Sequence, residues 1–319
     1  MYNKHNLSES PSLPCLLFIA GGYQVDGGID TVELVDLCSD GNRVCPTIPQ
    51  LPKENYVGVS LKTKLGHPLL CGGWFFDFYE ENCYKYSPND GNWTRALDPS
   101  MFMDWAAFAE QGDNNNYWVF GDNEQSLRYI SEVGSFVPGP DTPEEPSGFS
   151  YSRPCAVKVD SDTTFYGGSA GYLFDSIEGF AMGSFVPTAQ PMLFPAYNAH
   201  CGAATLADGS RIVVVAGGNP GYEEVLSRSA ILDVATGVWS PGPDLPQPMA
   251  FGTVVPTEES FLIVGGLHVD DIDLDTILMF DALNMEWVIL EQRLSSPKQM
   301  PFALAVDKEE FCPQGKVDT

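Results

Sequence analysis

The chain has 319 residues and is 44% hydrophobic, enough apolar material for one large domain or two ordinary ones. Its 16 Lys and Arg against 43 Asp and Glu give a formal charge of -27, a surface that repels phosphate backbones. Nucleic acid and anionic membranes are therefore excluded as expected partners, and basic proteins or divalent cations are favoured.

No run of 18 uncharged apolar residues occurs, so no membrane insertion is expected. Leu13 to Ala20, the most apolar early stretch, is too short to span and lacks the layout of a secretory signal. Along the chain, an apolar run ending in a Gly pair then recurs. It appears at Phe18–Gly22, Leu69–Gly73, Phe165–Gly168, Val213–Gly218 and Phe261–Gly266, with a weaker copy at Trp118–Asp122. The copies are spaced 46 to 51 residues apart, a period that marks a repeat architecture. After each Gly pair come a polar loop, a strand, a tight turn and a strand that often carries Trp. Cys83–Trp93, Ala230–Trp239 and Leu278–Trp287 show this best. A Pro-rich link and a small-residue strand such as Cys201–Ala207 lead to the next copy. These are four short antiparallel strands per unit, with no convincing helix anywhere.

This pattern resembles the kelch repeat family, through the Gly pairs, the aromatics Tyr86 and Phe280, and the tryptophans Trp93, Trp239 and Trp287. The resemblance implies an all-β, six-bladed propeller of four-stranded blades over residues 13–312, with blade 3 degenerate. Residues 1–12 are expected to be a flexible N-terminal segment and 313–319 a C-terminal tail. The first Gly pair comes too early for a full blade, and Pro301–Val306 looks like an innermost strand with no successor. The expectation is that the C-terminal strand completes the N-terminal blade, leaving no open sheet edge.

On that register the eight cysteines are expected to pair as Cys15 with Cys312, Cys38 with Cys45, Cys71 with Cys83, and Cys155 with Cys201. An even, pairable set points to disulfides and an oxidising, extracellular or secretory location, with the cytoplasm as the alternative. Asn92 heads a glycosylation sequon, and Asn6 another near the terminus.

Two loop features stand out on the face carrying the Gly-pair loops. Trp74, Phe75, Phe76 and Tyr79, with Tyr23, Tyr222 and His268 on neighbouring loops, form a candidate partner-binding surface, since aromatics anchor interfaces. Asp270, Asp271, Asp273 and Asp275 crowd one loop and make calcium a candidate ligand, although the loop lacks an EF-hand pattern. No other cofactor is expected.

Enzyme readings find less support. The related copper-radical oxidases need two His and two Tyr at copper, and His5, His67, His200 and His268 assemble no such set. Sialidases are six-bladed too, and Ser87–Trp93 is close to their Asp-box turn. The Arg cluster they need is missing, leaving Arg128, Arg153 and Arg228 as the cations to approach the channel. No GxSxG elbow, Walker loop or zinc spacing appears, and neither does the ligase-recruiting domain of intracellular kelch adaptors. The expectation is a monomeric protein-binding module, more a binder than an enzyme, facing a basic partner through an acidic, aromatic-rich loop face. Two alternatives stand beside it. One is a carbohydrate-active hydrolase or isomerase with carboxylates at the channel mouth. The other is a calcium-binding structural or matrix protein.

Overall fold

The computed structural model describes residues 13–38, 45–75, 78–80, 82–96, 106–111, 115–120, 126–139, 155–159, 163–167, 178–181, 184–187, 192–194, 198–219 and 224–313. Among them lie five four-stranded antiparallel sheets in a propeller arrangement, spanning 59–95, 107–138, 155–187, 200–241 and 253–293. Each takes its strands in sequence order from the centre outward, because the turns between them are short.

The two ends of the chain share a further sheet of three strands. Phe302–Val306 runs antiparallel to Leu16–Ala20, with Leu16 opposite Val306, and Val32–Asp36 lies on the other side. The expected ring of six equivalent four-stranded kelch blades is corrected accordingly. Five sheets have four strands, the terminal sheet has three among the described residues, and no strand ladder links one blade to the next. A short helix, Lys308–Phe311, capped by the Asp307 carboxylate, follows the last strand and departs from the helix-free expectation.

Neighbouring sheets meet through side chains, so the apolar core lies in the gaps between blades. Phe261, Phe280 and Trp287 fill one gap with Ile212, Val214 and Ile231 of the preceding sheet. Phe18, Tyr86, Trp93 and Phe311 fill another, with ring centroids 5.3–6.0 Å apart. Two outer-strand tryptophans also act as polar ties. Trp93 Nε1 donates to the Pro49 carbonyl and Trp287 Nε1 to that of Pro243, both at 3.0 Å and both 44 residues upstream. Trp93 and Trp287 thus each tie their blade to the link that enters it.

The Gly pairs have an equally specific task. Gly22, Gly218 and Gly266 donate their N–H to the carbonyls of Asn55, Met249 and Lys298, which belong to the links entering the next sheet, at 2.8–2.9 Å. The first glycine of each pair is left-handed, and a Cβ on Gly217 would lie 2.2 Å from the Met249 oxygen. Two residues past those acceptors, Val57, Phe251 and Met300 are also left-handed, as is Asn198. Their backbones form a belt between blades: Phe251 N to Asn198 O, Met300 N to Phe251 O, and Val57 N to Met300 O.

The disulfides concentrate at the terminal sheet. Cys15 bonds Cys38, and Cys45 bonds Cys312, replacing the expected Cys15–Cys312 and Cys38–Cys45 pairs. The exchange follows from topology: Cys15 and Cys38 flank adjacent antiparallel strands, where Leu37 N bonds Cys15 O, leaving Cys45 to meet the helix end at Cys312. Cys71 bonds Cys83 directly across a strand pair. Cys201 is disulfide-bonded, while the side chain of its expected partner Cys155 lies outside the described residues. These bonds place the protein in an oxidising, secretory or extracellular environment. Among the described residues no helix is long and apolar enough to cross a membrane.

A buried ion pair ties the terminal sheet to the last blade. Lys298 is fully buried with its Nζ 2.8 Å from Glu33, whose other oxygen accepts the Ser295 N–H. Removing one partner strands the other charge. Lys298→Ala should therefore cost about 3–5 kcal/mol in urea denaturation, whereas Lys298→Met paired with Glu33→Leu should cost much less.

Candidate functional site

The aromatic segment after Gly73 forms a small hairpin, Trp74–Phe75 with Phe78–Tyr79, rooted on its own blade. Trp74 is half-buried and its N–H bonds Tyr56 O, while Tyr23, also half-buried, places its ring 4.9 Å from that of Tyr56. His268 is half-buried beside the Val269 carbonyl. The side chains of Phe75 and Tyr79, and residues Phe76 and Tyr222 entirely, lie outside the described residues. Asn92 is exposed on an outer strand, accessible as a sequon must be.

Glu80 closes this hairpin from a buried position. Lys53 Nζ lies 3.0 Å from its carboxylate, and the Asn82 backbone and side-chain N–H groups also donate to it. Burial pushes its carboxyl up, but the hydrogen bonds from Lys53 and Asn82 outweigh this and hold it below the usual range.

The acidic loop is spread out. Asp270 and Asp271 are exposed in a single turn, Asp273 accepts from Gln299 Nε2 at 2.7 Å, and Asp275 lies 3.8 Å from Arg293 Nε. Among the described residues no group of three or more His, Cys, Asp or Glu converges to hold a metal ion.

A cavity of about 830 Å3 occupies the central channel, walled by the innermost strands of the blades. Small residues such as Ala156 and Ala203 line it, while Gly202 is kept small by the next blade, since a Cβ there would lie 2.1 Å from the Phe261 ring. The channel's two mouths differ. At the end where the innermost strands begin, it is rimmed by the belt residues Asn198, Phe251 and Met300. At the end where they finish, Lys62, Glu110, Lys158, Glu258 and Glu259 gather, with Leu13 and Pro14 beside them. Arg211 is there too, but its guanidinium is committed to Val159 O and Thr205 Oγ1, stapling two blades together.

Tyr117 sits opposite Glu110 in the strand register and is buried in the channel wall. Burial first, then the nearby Glu110 charge, hold its phenol well above the usual value. Arg128, once a candidate for the channel, instead lies on a third strand with its guanidinium 6.0 Å from the Trp118 ring, and Arg228 is exposed. Arg153 lies outside the described residues.

The charged mouth therefore lies on the face opposite the Gly-pair loops, where sequence reasoning did not place the site. Its signal was present, in that three innermost strands carry a charge at or just before their last residue, at Lys62, Glu110 and Lys158.

No family model matches the chain, and no curated protein matches it either. The chain is similar to the solved structure of YjhT, with a TM-score of 0.67 and 14% identity over 88% of this chain and 99% of that one. At that identity the likeness shows the fold alone. The kelch resemblance is corrected, since the Gly-pair and Trp spacing corresponds to a shared propeller geometry without a family match. The leaning away from an enzyme is corrected as well. It rested on an exposed aromatic face, whereas Tyr23 and Trp74 are half-buried and this propeller encloses a channel with a charged mouth.

Because the Glu80 carboxyl is held low in the fold, its contribution to stability is present above its unfolded value and is lost as pH falls through the folded one. Glu80→Gln should flatten the acid limb of the stability curve below about pH 4.5 and leave the neutral region merely lowered, as read from thermal midpoints across pH.

Proposed function

We propose that the protein is a carbohydrate-active enzyme, a hydrolase or isomerase, that admits a sugar to the central channel and acts with carboxylates at its charged mouth. The observation that carries this reading is the convergence of Glu110, Glu258 and Glu259 with Lys62 and Lys158 on a cavity of about 830 Å3. That size suits a small ligand, and a concave site with a few converging polar groups is the ordinary form of an active site. Carboxylates are the groups that both glycoside hydrolysis and proton transfer beside a sugar carbonyl require, one to donate a proton and one to accept it. Phe108 and Phe251, also on the channel wall, offer faces for the apolar side of a sugar ring.

A second reading, recognition of a basic protein partner on the Gly-pair face, is favoured by Val25 and Ile272, 74% and 54% exposed beside the exposed Asp26, Asp270 and Asp271. It calls for salt-sensitive binding that Asp270→Asn with Asp271→Asn weakens and that channel variants leave unchanged.

The enzyme reading is tested by following a panel of glycosides and free reducing sugars by NMR for hydrolysis or isomerisation. At least one of Glu110→Gln, Glu258→Gln and Glu259→Gln should lower kcat by about 10²–10⁴-fold with circular dichroism unchanged. Full turnover in all three variants, or no sugar bound or converted by the unaltered protein, would reject it.

A further inference from the structure

We propose that His200 is an acid-sensitive latch at the channel mouth: its neutral ring holds two neighbouring blades together there, and its protonation releases them. His200 opens the innermost strand of the 200–241 sheet and is only 1% exposed. Its Nε2 lies 2.9 Å from the Gly252 backbone N, which begins the next blade, and its Nδ1 lies 3.1 Å from the Ala216 carbonyl oxygen. An amide N–H can only donate, so Nε2 accepts and the ring proton sits on Nδ1, donating to Ala216. The neutral imidazole is therefore the one form that satisfies both partners.

A proton added at Nε2 would face the Gly252 N–H donor to donor. There is little room for the ring to swing away, since a Cβ at Gly252 would lie 2.8 Å from Nε2 and one at Gly217 only 3.3 Å from Nδ1. The elements packed on the ring present backbone at Ala216, Gly217 and Gly252, with the apolar Ile263 behind Gly252. Among the described residues no carboxylate acts on it, so nothing compensates a charge.

The junction matters beyond this one bond. Asn198 and Phe251, which make the neighbouring belt hydrogen bond, are two residues before His200 and one before Gly252, and the Phe251 carbonyl in turn receives Met300 N. Releasing Gly252 therefore loosens the rim on both sides of Phe251. This inference does not depend on what the channel binds.

Burial lowers His200 from 6.5 to about 4, with the Ala216 hydrogen bond opposing. A group held neutral in the closed state contributes fully above its free value, loses that contribution as pH falls from 6.5 to about 4, and changes nothing further below. The shift corresponds to roughly a 300-fold bias toward the closed junction at neutral pH.

The test is hydrogen exchange on the full disulfide-bonded chain at about pH 7.5 and about pH 4.5, corrected for the intrinsic rate. Peptides containing Phe251–Thr253 and Met300 should lose protection about tenfold or more in acid, while the strands 211–216 and 261–264 keep theirs. His200→Gln should remove the pH dependence. Unchanged protection in the unaltered protein, or the same acid loss in His200→Gln, would overturn the proposal. If that variant does not fold, NMR titration of the His200 ring decides the matter. A ring that protonates as the junction opens supports the latch, and a ring still neutral in an opened junction refutes it.

Discussion

The terminal sheet and the 200–241 and 253–293 blades each depend on one close backbone approach, the docking of a Gly pair onto the link that enters the next sheet. Gly22, Gly218 and Gly266 reach carbonyls that no residue with a Cβ at the preceding position would let them reach. The same links supply the left-handed residues of the belt, so packing between sheets and the shape of the channel mouth share one cause. A blade of four strands cannot cover both its faces, and its apolar surface is buried only if neighbours sit at this fixed approach. The Trp ties at Trp93 and Trp287 set the same spacing from the outer side.

The terminal sheet is where this scheme is most heavily reinforced. It has three described strands. Cys15–Cys38 and Cys45–Cys312 bracket it, the latter linking residues 267 apart in sequence. The Lys298–Glu33 pair and the His67–Glu310 contact at 2.6 Å fasten it to the segments on either side, and the Lys308–Asp36 pair at 2.9 Å ties the helix after Phe302–Val306 back to Val32–Asp36. The chain ends carry the largest loop-closure entropy, and covalent links there remove it from the unfolded state.

The channel combines two chemically different rims on one bore. One is made of backbone and of uncharged side chains such as Asn198, Phe251 and Met300, held by hydrogen bonds between blades and by a neutral His200. The other carries carboxylates and lysines at the ends of the innermost strands. Few cations exist in this acidic chain, and two of its lysines, Lys62 and Lys158, lie beside carboxylates at this one mouth. A rigid scaffold with charged groups at strand ends is a general way of fixing reacting groups, because strands hold side-chain positions better than loops do.

The landmarks of the repeat were legible in the sequence because each is a local necessity. A Gly pair, a Trp before a Pro-rich link and a run of small residues each solve a steric problem within a few residues of themselves. The pairing of Cys71 with Cys83 was readable for the same reason, since they face each other across one short loop. What the repeat implied about uniform blades and family was not secure, because spacing reports geometry and not descent. The Cys15, Cys38, Cys45 and Cys312 pairing, the burial of Tyr23 and Trp74, and the commitment of Arg211 depended on which segments meet across sheets. The charged mouth was missed for a related reason. Lys62, Glu110 and Lys158 lie nearly 50 residues apart, each an unremarkable end to a strand, and only the curvature of the whole assembly brings them onto one cavity. Local sterics are written within a single repeat, whereas a site shared between blades exists only once the blades are packed.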